Sequence, residues 1–286
     1  MNGRSCIQIT VTDIEFRNYF TKRESNMDLT IIKIGGSVIT NKKSGKPRIN
    51  SRNLQTVARQ LEDFKGPYIL IHGAGSYGHP LVKKTGIDKG VANPVQLVAM
   101  AQTQRLQNLL DSIVCDALIK RGIPAFPCQA SAQAIMESGR LVKMDTDAIA
   151  GMVKMGLVPV CYGVPAFDKN LGCTILSGDQ IAPYLAKRLG ATRIIEAGDV
   201  EGIFTVNPKK DKQAVLISDI NAANYKDIEK HLNGSLAPDV TGGMKQKYLE
   251  LLAAAETGIV AQIVHFKSLK DALAGKHIGT VIDLRN

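Results

Sequence analysis

From Leu29 onward, short apolar runs with strand character alternate with longer stretches of helical period. This alternation limits the fold more than any other feature of the chain. Strand readings fall at 29–34, 67–72, 123–127, 157–162, 192–197, 214–217, 259–265 and 278–283. Helical readings fall at 50–64, 93–121, 145–155, 178–189, 222–231, 243–256 and 268–274. Strands separated by helices return parallel through crossovers, which places helices on both faces of one sheet. Segment 93–121 carries Leu97, Met100, Leu106, Leu109, Leu110, Ile113, Val114 and Leu118 at helical spacing and stops at Gly122-Ile-Pro. Asp168-Lys-Asn-Leu-Gly172 divides two short runs and reads as a hairpin turn. The class is α/β with a mostly parallel open sheet, and in such sheets ligands collect at the carboxyl ends of the strands.

The first 26 residues read differently, as an extension or an upstream start that lacks a signal peptide's apolar centre. Residues 27–286 read as one domain, beginning at MDLTIIKIGGS. No apolar run approaches the roughly 18 residues of a membrane span, so the expected compartment is the cytoplasm. The 5 cysteines are an odd number without a CxxC pair, which argues for reduced thiols and against a zinc site or a disulfide framework. The formal charge of +10 is spread along the chain, with no Trp and 5% aromatics. That distribution suits a small anionic substrate better than a nucleic acid.

Glycine-rich loops fall where the strands should end. Lys33-Ile-Gly-Gly-Ser37 closes the first strand; Gly35 and Gly36 let the backbone approach an anion, and Lys33 alternates with apolar neighbours. The stretch IHGAGSYGHP, 71–80, follows the second strand; amides of Gly73, Ala74 and Gly75 can form a nest, and His79 can donate to a phosphate. Ser177-Gly-Asp-Gln180 opens a helix with Asp179 in its first turn. Asp239-Val-Thr-Gly-Gly-Met-Lys-Gln-Lys247 opens another, with Gly242 and Gly243 followed by Lys245 and Lys247. Taken singly, each also reads as a tight turn or an ordinary helix cap. Together, glycine nests, spaced lysines and one acid describe phosphoryl transfer without a P-loop lysine motif. That chemistry needs cations around the phosphoryl group and a group that holds them in place.

In this order the motifs resemble the amino acid kinase superfamily, and within it the isopentenyl phosphate kinase branch. The resemblance runs from about Asp28 to the C-terminus. It rests on KIGGSVITNK (33–42), HGAGSYGHP (72–80), YGVPAFD (162–168), SGDQIAPYLA (177–186), GDVEGIF (198–204) and DVTGGMKQK (239–247). It implies a three-layer αβα sandwich, a homodimer, and transfer of the γ-phosphoryl group of ATP, with Mg2+, onto isopentenyl phosphate in isoprenoid biosynthesis. Residues 27–190 would mainly serve the acceptor and 191–286 mainly ATP. By matching position, Lys33 and Lys247 would contact the ATP phosphates, Lys42 would stabilise the transition state, and Asp179 would orient the lysines. His79 would grip the acceptor phosphate, with Ala74 and Gly163 beside it. Gly35, Gly36, Ser37, Gly75, Asp199 and Gly243 would line the path of the nucleotide phosphates. No nucleic acid, membrane or protein-held metal is implied.

The chain departs from that pattern in places. Ala74 stands where the loop is often all glycine, which costs nothing if its φ is negative. Tyr77 replaces a Phe, and Gly198-Asp199 replaces a common Thr-Asp. An acceptor that is already a phosphate needs no strong base, since its second pKa lies near 6. Of the two histidines, His72 reads only as the end of its strand. An isoprenoid tail would lie between helix 93–121 and the segment after His79; Leu97, Met100 and Ile135 are candidates for that wall or for ordinary core. The rival readings are a fosfomycin-type phosphonate kinase, an amino acid or carbamate kinase, and a nucleotide-binding regulator without catalysis.

Overall fold

A computed structural model of the chain describes residues 28–41, 46–206, 208, 211–233 and 242–285. The N-terminal extension, Lys42 and Asp239–Thr241 lie outside the described residues.

The elements run β1 (Thr30–Ile34), α1 (Gly36–Ile39), α2 (Ser51–Glu62), β2 (Tyr68–His72), α3 (His79–Thr85), α4 (Pro94–Ile119) and β3 (Ala125–Cys128). A hairpin of β4 (Ala134–Glu137) and β5 (Arg140–Met144) follows, then α5 (Asp147–Lys154) and β6 (Val158–Tyr162). Next come β7 (Val164–Asp168), β8 (Gly172–Leu176), α6 (Gly178–Leu189) and β9 (Arg193–Gly198). The remainder is β10 (Ile203–Phe204), β11 (Leu216–Ile217), β12 (Asp219–Ile220), α7 (Tyr225–Asn233), α8 (Gly242–Ala255), β13 (Val260–His265), α9 (Leu269–Leu273) and β14 (Thr280–Ile282).

The main sheet has 8 strands in the order β12-β14-β13-β9-β1-β2-β6-β3. Its strands from β13 to β3 are parallel, and β14 runs antiparallel to β13. Because side chains alternate along a strand, each strand feeds two cores. Ile31 of β1, with Ile69 and Ile71 of β2, packs against Ile181 and Leu185 of α6 and Leu251 of α8. Ile32 and Ile34, with Leu70, pack on the opposite face against Leu54 and Leu61 of α2 and Leu110 and Val114 of α4. The result is a three-layer αβα sandwich.

Strand order reverses at β1, with β2 on one side and β9 on the other. The carboxyl ends around that reversal are tied one residue past the strands. Gly35 N–H donates to Ala197 O at 2.9 Å, Gly73 N–H to Ile34 O at 3.0 Å, and Gly163 N–H to His72 O at 3.2 Å. The glycine loops therefore stand side by side on one rim.

A second sheet, β5-β4-β7-β8, rests beside this frame. The turn read at Asp168–Gly172 is its β7–β8 hairpin. The β4–β5 hairpin left no alternating pattern in the sequence, because its strands are short and RLVKM exposes Arg140, Val142 and Lys143.

Helix α4 turns in a different register from the one its leucines suggest. Its buried stripe includes Thr103, Gln107 and Asp111 at i, i+4, i+8, whereas Leu97 is 57% exposed and Leu109 is 47% exposed.

Candidate active site

The loop after β1 and the loop after β2 touch backbone to backbone. A methyl group on Gly36 would lie 2.4 Å from Gly75 N, and one on Gly73 would lie 2.6 Å from Gly36 N. Gly75 has φ +50°, and a side chain there would strike Thr40 Oγ1 at 2.0 Å. Thr40 itself laces the loops together: its hydroxyl donates to Gly36 O at 2.7 Å and accepts from Ser76 N–H at 2.9 Å. Ala74 has φ −64°, so its methyl group costs nothing.

Lys33 shares the face of Ile31, the face covered by α6 and α8. It is 5% exposed, and its Nζ lies 2.5 Å from Asp179 Oδ1 and 3.1 Å from Glu196 Oε2. Lys247 of α8 donates to the same Asp179 oxygen at 2.9 Å and also to Glu196 Oε2. Asp179 is delivered by the first turn of α6, whose N-cap Ser177 accepts from Gln180 N–H at 3.3 Å. Lys33, Asp179 and Lys247 are thus brought together.

Glu196 completes this cluster, and sequence reasoning missed it. The available signal was one acid inside the apolar strand RIIEAG, where a buried charge needs a partner.

The electrostatics of the cluster are strong. Burial raises the Asp179 carboxyl, but Lys33 and then Lys247 outweigh it and hold the group well below the ordinary carboxylate range. Burial, followed by the neighbouring Lys33, pulls the Lys247 ammonium down to about 7 against the opposing pull of Asp179. On the outer side of the same rim, Ser37 Oγ donates to Asp199 Oδ1 at 3.3 Å. Gly35 is fixed by its bond to Ala197 O, and Gly242 and Gly243 open α8.

A cavity of about 240 Å³ opens beside this cluster. Ala74, His79 and Gly163 all border it, together with Val82, Val164 and Ile175. The helix 93–121 wall is present as Thr103 and Gln107 of α4. Leu97, Met100 and Ile135 do not line the cavity: Leu97 is exposed, and Met100 and Ile135 are half-buried elsewhere. The link between cavity and cluster is short. A methyl on Gly163 would lie 3.3 Å from Gly178 N, and one on Gly178 would lie 3.2 Å from Lys33 Cε.

His72 does more than end its strand. It is fully buried, its Nε2 lies 3.2 Å from Asp111 Oδ1, and its ring stacks on Tyr162 at 5.3 Å and 10°. It belongs to the wall behind the loop and does not border the cavity.

Two lysines and two carboxylates in the crook of paired glycine loops, next to a mainly apolar cavity with a histidine at its edge, are suited to drawing two phosphate groups together. This sheet and site define a phosphotransferase of the α/β class. The chain belongs to the amino acid kinase family, whose model matches residues 28–265. It is 37% identical over 260 residues to the isopentenyl phosphate kinase of Methanothermobacter thermautotrophicus, with 87% of this chain and 97% of that protein covered. It is 34% identical over 266 residues to that of Methanocaldococcus jannaschii, covering 89% and 98%. A solved isopentenyl phosphate kinase structure superposes with a TM-score of 0.78 at 35% identity, covering 89% of this chain and 99% of that one. The carbamate kinase from Giardia lamblia shares the fold, with a TM-score of 0.68 at 16% identity, 91% of this chain and 99% of that one covered.

Proposed function

We propose that this chain is an ATP-dependent kinase that transfers the γ-phosphoryl group to isopentenyl phosphate, giving isopentenyl diphosphate and ADP. The observation that carries this reading is the cavity bordered by His79, Ala74 and Gly163, with only Gly178 between Gly163 and the Lys33 of the Lys33–Asp179–Lys247 cluster. Relatives at 34–37% identity bear the same activity in their names.

A terminal oxygen of the acceptor monophosphate attacks the γ-phosphorus of ATP while the bond to the β–γ bridging oxygen breaks, and ADP carries off that electron pair. The attacking oxygen is ionised near neutral pH, so no base is required. The protein's work is to neutralise and align two anions. Lys33 and Lys247 face the phosphates, Asp179 orients both lysines, and His79 holds the acceptor phosphate. Ala74 and Gly163 shape the acceptor's seat. Gly35, Gly36, Ser37, Gly75, Asp199 and Gly243 follow the nucleotide phosphates, and Lys42 joins the cations at the reacting phosphoryl group. Val82, Val164 and Ile175 give the tail an apolar lining.

Mg2+ fits as an ion that enters on the nucleotide. Among the described residues no group of three or more His, Cys, Asp or Glu is placed to hold a metal, and Asp179 and Glu196 already receive the lysines. Mg2+ commonly keeps waters and substrate phosphates as its ligands, and when bound it would neutralise charge on the β- and γ-phosphates.

We assign 27–190 mainly to the acceptor and 191–286 mainly to ATP, with residues 1–26 dispensable and the working unit a cytoplasmic homodimer. The buried thiols Cys115, Cys128, Cys161 and Cys173 are unpaired, which suits a reducing compartment. No helix among the described residues is long and apolar enough to cross a membrane.

The test is an acceptor screen with purified protein and Mg-ATP, using isopentenyl phosphate, fosfomycin, glutamate and carbamate. Isopentenyl phosphate is expected to give the highest kcat/KM; a higher value for fosfomycin would move the chain to the phosphonate branch.

A further inference from the structure

Glu196 is the charged group of the cluster that no glycine loop announces. Strands β1 and β9 pair in parallel with Lys33 directly opposite Glu196, so register alone sends both side chains to the face covered by α6 and α8. Glu196 Oε2 accepts from Lys33 Nζ at 3.1 Å and from Lys247 Nζ. Asp179 Oδ1 accepts from the same two ammonium groups at 2.5 Å and 2.9 Å. The four groups form a closed ring of alternating charge.

The two carboxylates are not equivalent in position. The Asp179 side chain keeps 24% of its exposure, whereas that of Glu196 keeps 3%. Asp179 therefore stands on the open side of the ring and Glu196 behind it. Two ammonium groups that share one carboxylate oxygen lie close enough to repel each other. One carboxylate leaves the pair with net positive charge and open to that repulsion on its inner side; a second one closes the ring.

Glu196 Oε1 is buried and has no hydrogen-bond partner among the described residues. A buried acceptor without a partner is a cost that packing alone does not explain.

We propose that Glu196 is a positioning residue. It is the fixed rear counter-charge that holds Lys33 and Lys247 side by side while phosphoryl oxygens arrive from the Asp179 side. The inference rests on reading this cluster as the phosphate site, and it does not depend on which phosphate is the acceptor. The charged groups facing Glu196 are Lys33 from β1, Lys247 from α8 and, across the ring, Asp179 from α6.

The test uses the full-length chain with whichever acceptor the wild type turns over. Glu196→Gln keeps the shape and removes the charge; Glu196→Asp keeps the charge and draws it back by one methylene. The glutamine variant is expected to lose about 10- to 100-fold in kcat, with acceptor KM within about twofold. Its alkaline limb is expected to move down by about one pH unit, because an opposite charge beside the Lys247 ammonium has been removed. The aspartate variant is expected to recover part of the rate with the limb near its wild-type position. Wild-type kcat and limb in Glu196→Gln would overturn the proposal. So would a comparable loss of rate in both variants with neither limb displaced, which marks a packing role.

If the glutamine chain does not fold, the aspartate variant decides. It must lose rate and keep the limb, and a displaced limb at full rate overturns the proposal. If the wild type leaves isopentenyl phosphate untouched in the acceptor screen, the proposed acceptor fails separately. Glu196 is then read from ATP affinity at pH 8, which must fall about tenfold in Glu196→Gln, and an unchanged affinity overturns it.

Discussion

Gly36 and Gly75 meet backbone to backbone: a methyl group added to Gly36 would sit 2.4 Å from the amide nitrogen of Gly75. The loops after β1 and β2 can hold their amides together only while both positions lack a side chain. Gly75 is doubly constrained, because φ +50° also disfavours any other residue. Gly36→Ala is therefore expected to push the loops apart and lower kcat by about 100-fold, the size of loss that a misplacement near 1 Å can cause at a reacting centre. Gly151→Ala in α5, where an added methyl group meets nothing within 4 Å, is expected to leave kcat within about threefold and serves as the control. Steady-state kinetics on the two variants settle the point.

The Lys247 ammonium, pulled down to about 7 by burial and by Lys33, is mostly neutral at pH 8 in the free protein. Nucleotide phosphates beside it favour the charged form and raise its pKa. At that pH the nucleotide's own phosphates are already ionised, with second pKa values near 6. ATP binding at pH 8 is therefore expected to take up close to one proton, and at pH 6 far less. Calorimetry in buffers of different ionisation enthalpy reads this directly. Lys247→Met should abolish the uptake at pH 8; uptake that persists would place the proton elsewhere.

His79 borders the proposed acceptor cavity together with Gly163 and Ala74. A charge-assisted bond to a phosphate is worth about 1.5–3 kcal/mol, which corresponds to roughly 10- to 150-fold in affinity. His79→Ala is expected to raise the KM for the acceptor by that factor and to leave the KM for ATP within about twofold. His79→Gln, which keeps a donor, should fall between. An equal rise in both KM values would remove His79 from the acceptor side.

How much of this was legible in the sequence follows from where each partner lies. The β1, β2, β6, β9 and β13 strands are buried on both faces, so each appears as an apolar run that a glycine or helix signal ends. Lys33 stood out because it breaks such a run just before Gly35-Gly36. Glu196 breaks one in the same way, but its partners are 163 and 51 residues away, and nothing local marks it. His72 is a similar case: its partner Asp111 lies 39 residues on, inside a helix whose leucines suggested another inward face. The exposed Leu97 and Leu109 mislead because α4 buries a polar stripe, Thr103, Gln107 and Asp111, of which Gln107 packs on Gly78 and Asp111 meets His72. Hydrophobic periodicity finds apolar stripes and is blind to satisfied or functional polar ones.

That stripe yields a stability prediction. Both amide atoms of Gln107 are buried without a hydrogen-bond partner in the described structure, and the side chain presses on Gly78. Replacing an unpaired amide by an apolar group of similar shape removes a desolvation cost of about 1–3 kcal/mol. Gln107→Leu is expected to raise Tm by several degrees. An unchanged or lowered Tm would mean that the amide is satisfied in solution.

Asp168 anchors the β7–β8 turn to the β4–β5 turn, although it lies outside the Lys33–Asp179–Lys247 cluster. Its carboxylate is fully buried and accepts from the N–H groups of Ser138 at 3.1 Å, Gly139 at 2.8 Å, Asn170 at 3.0 Å and Leu171 at 3.1 Å. The Thr174 hydroxyl adds another bond at 3.2 Å. Burial alone would raise this carboxyl, but the backbone donors outweigh it and hold it below the usual carboxylate range. A group with a depressed folded-state pKa stabilises the protein above the unfolded value, about 3.9, and that contribution is lost as pH falls through the folded value. Asp168→Asn keeps the size of the group, replaces one acceptor oxygen by a donor, and is expected to cost about 2–4 kcal/mol at pH 7. The gap between variant and wild type should narrow as the pH of urea denaturation is taken from 5 toward 2, because the wild-type carboxylate is then protonated. A gap that stays constant over that range would show that the charge of Asp168 does not hold the two turns together.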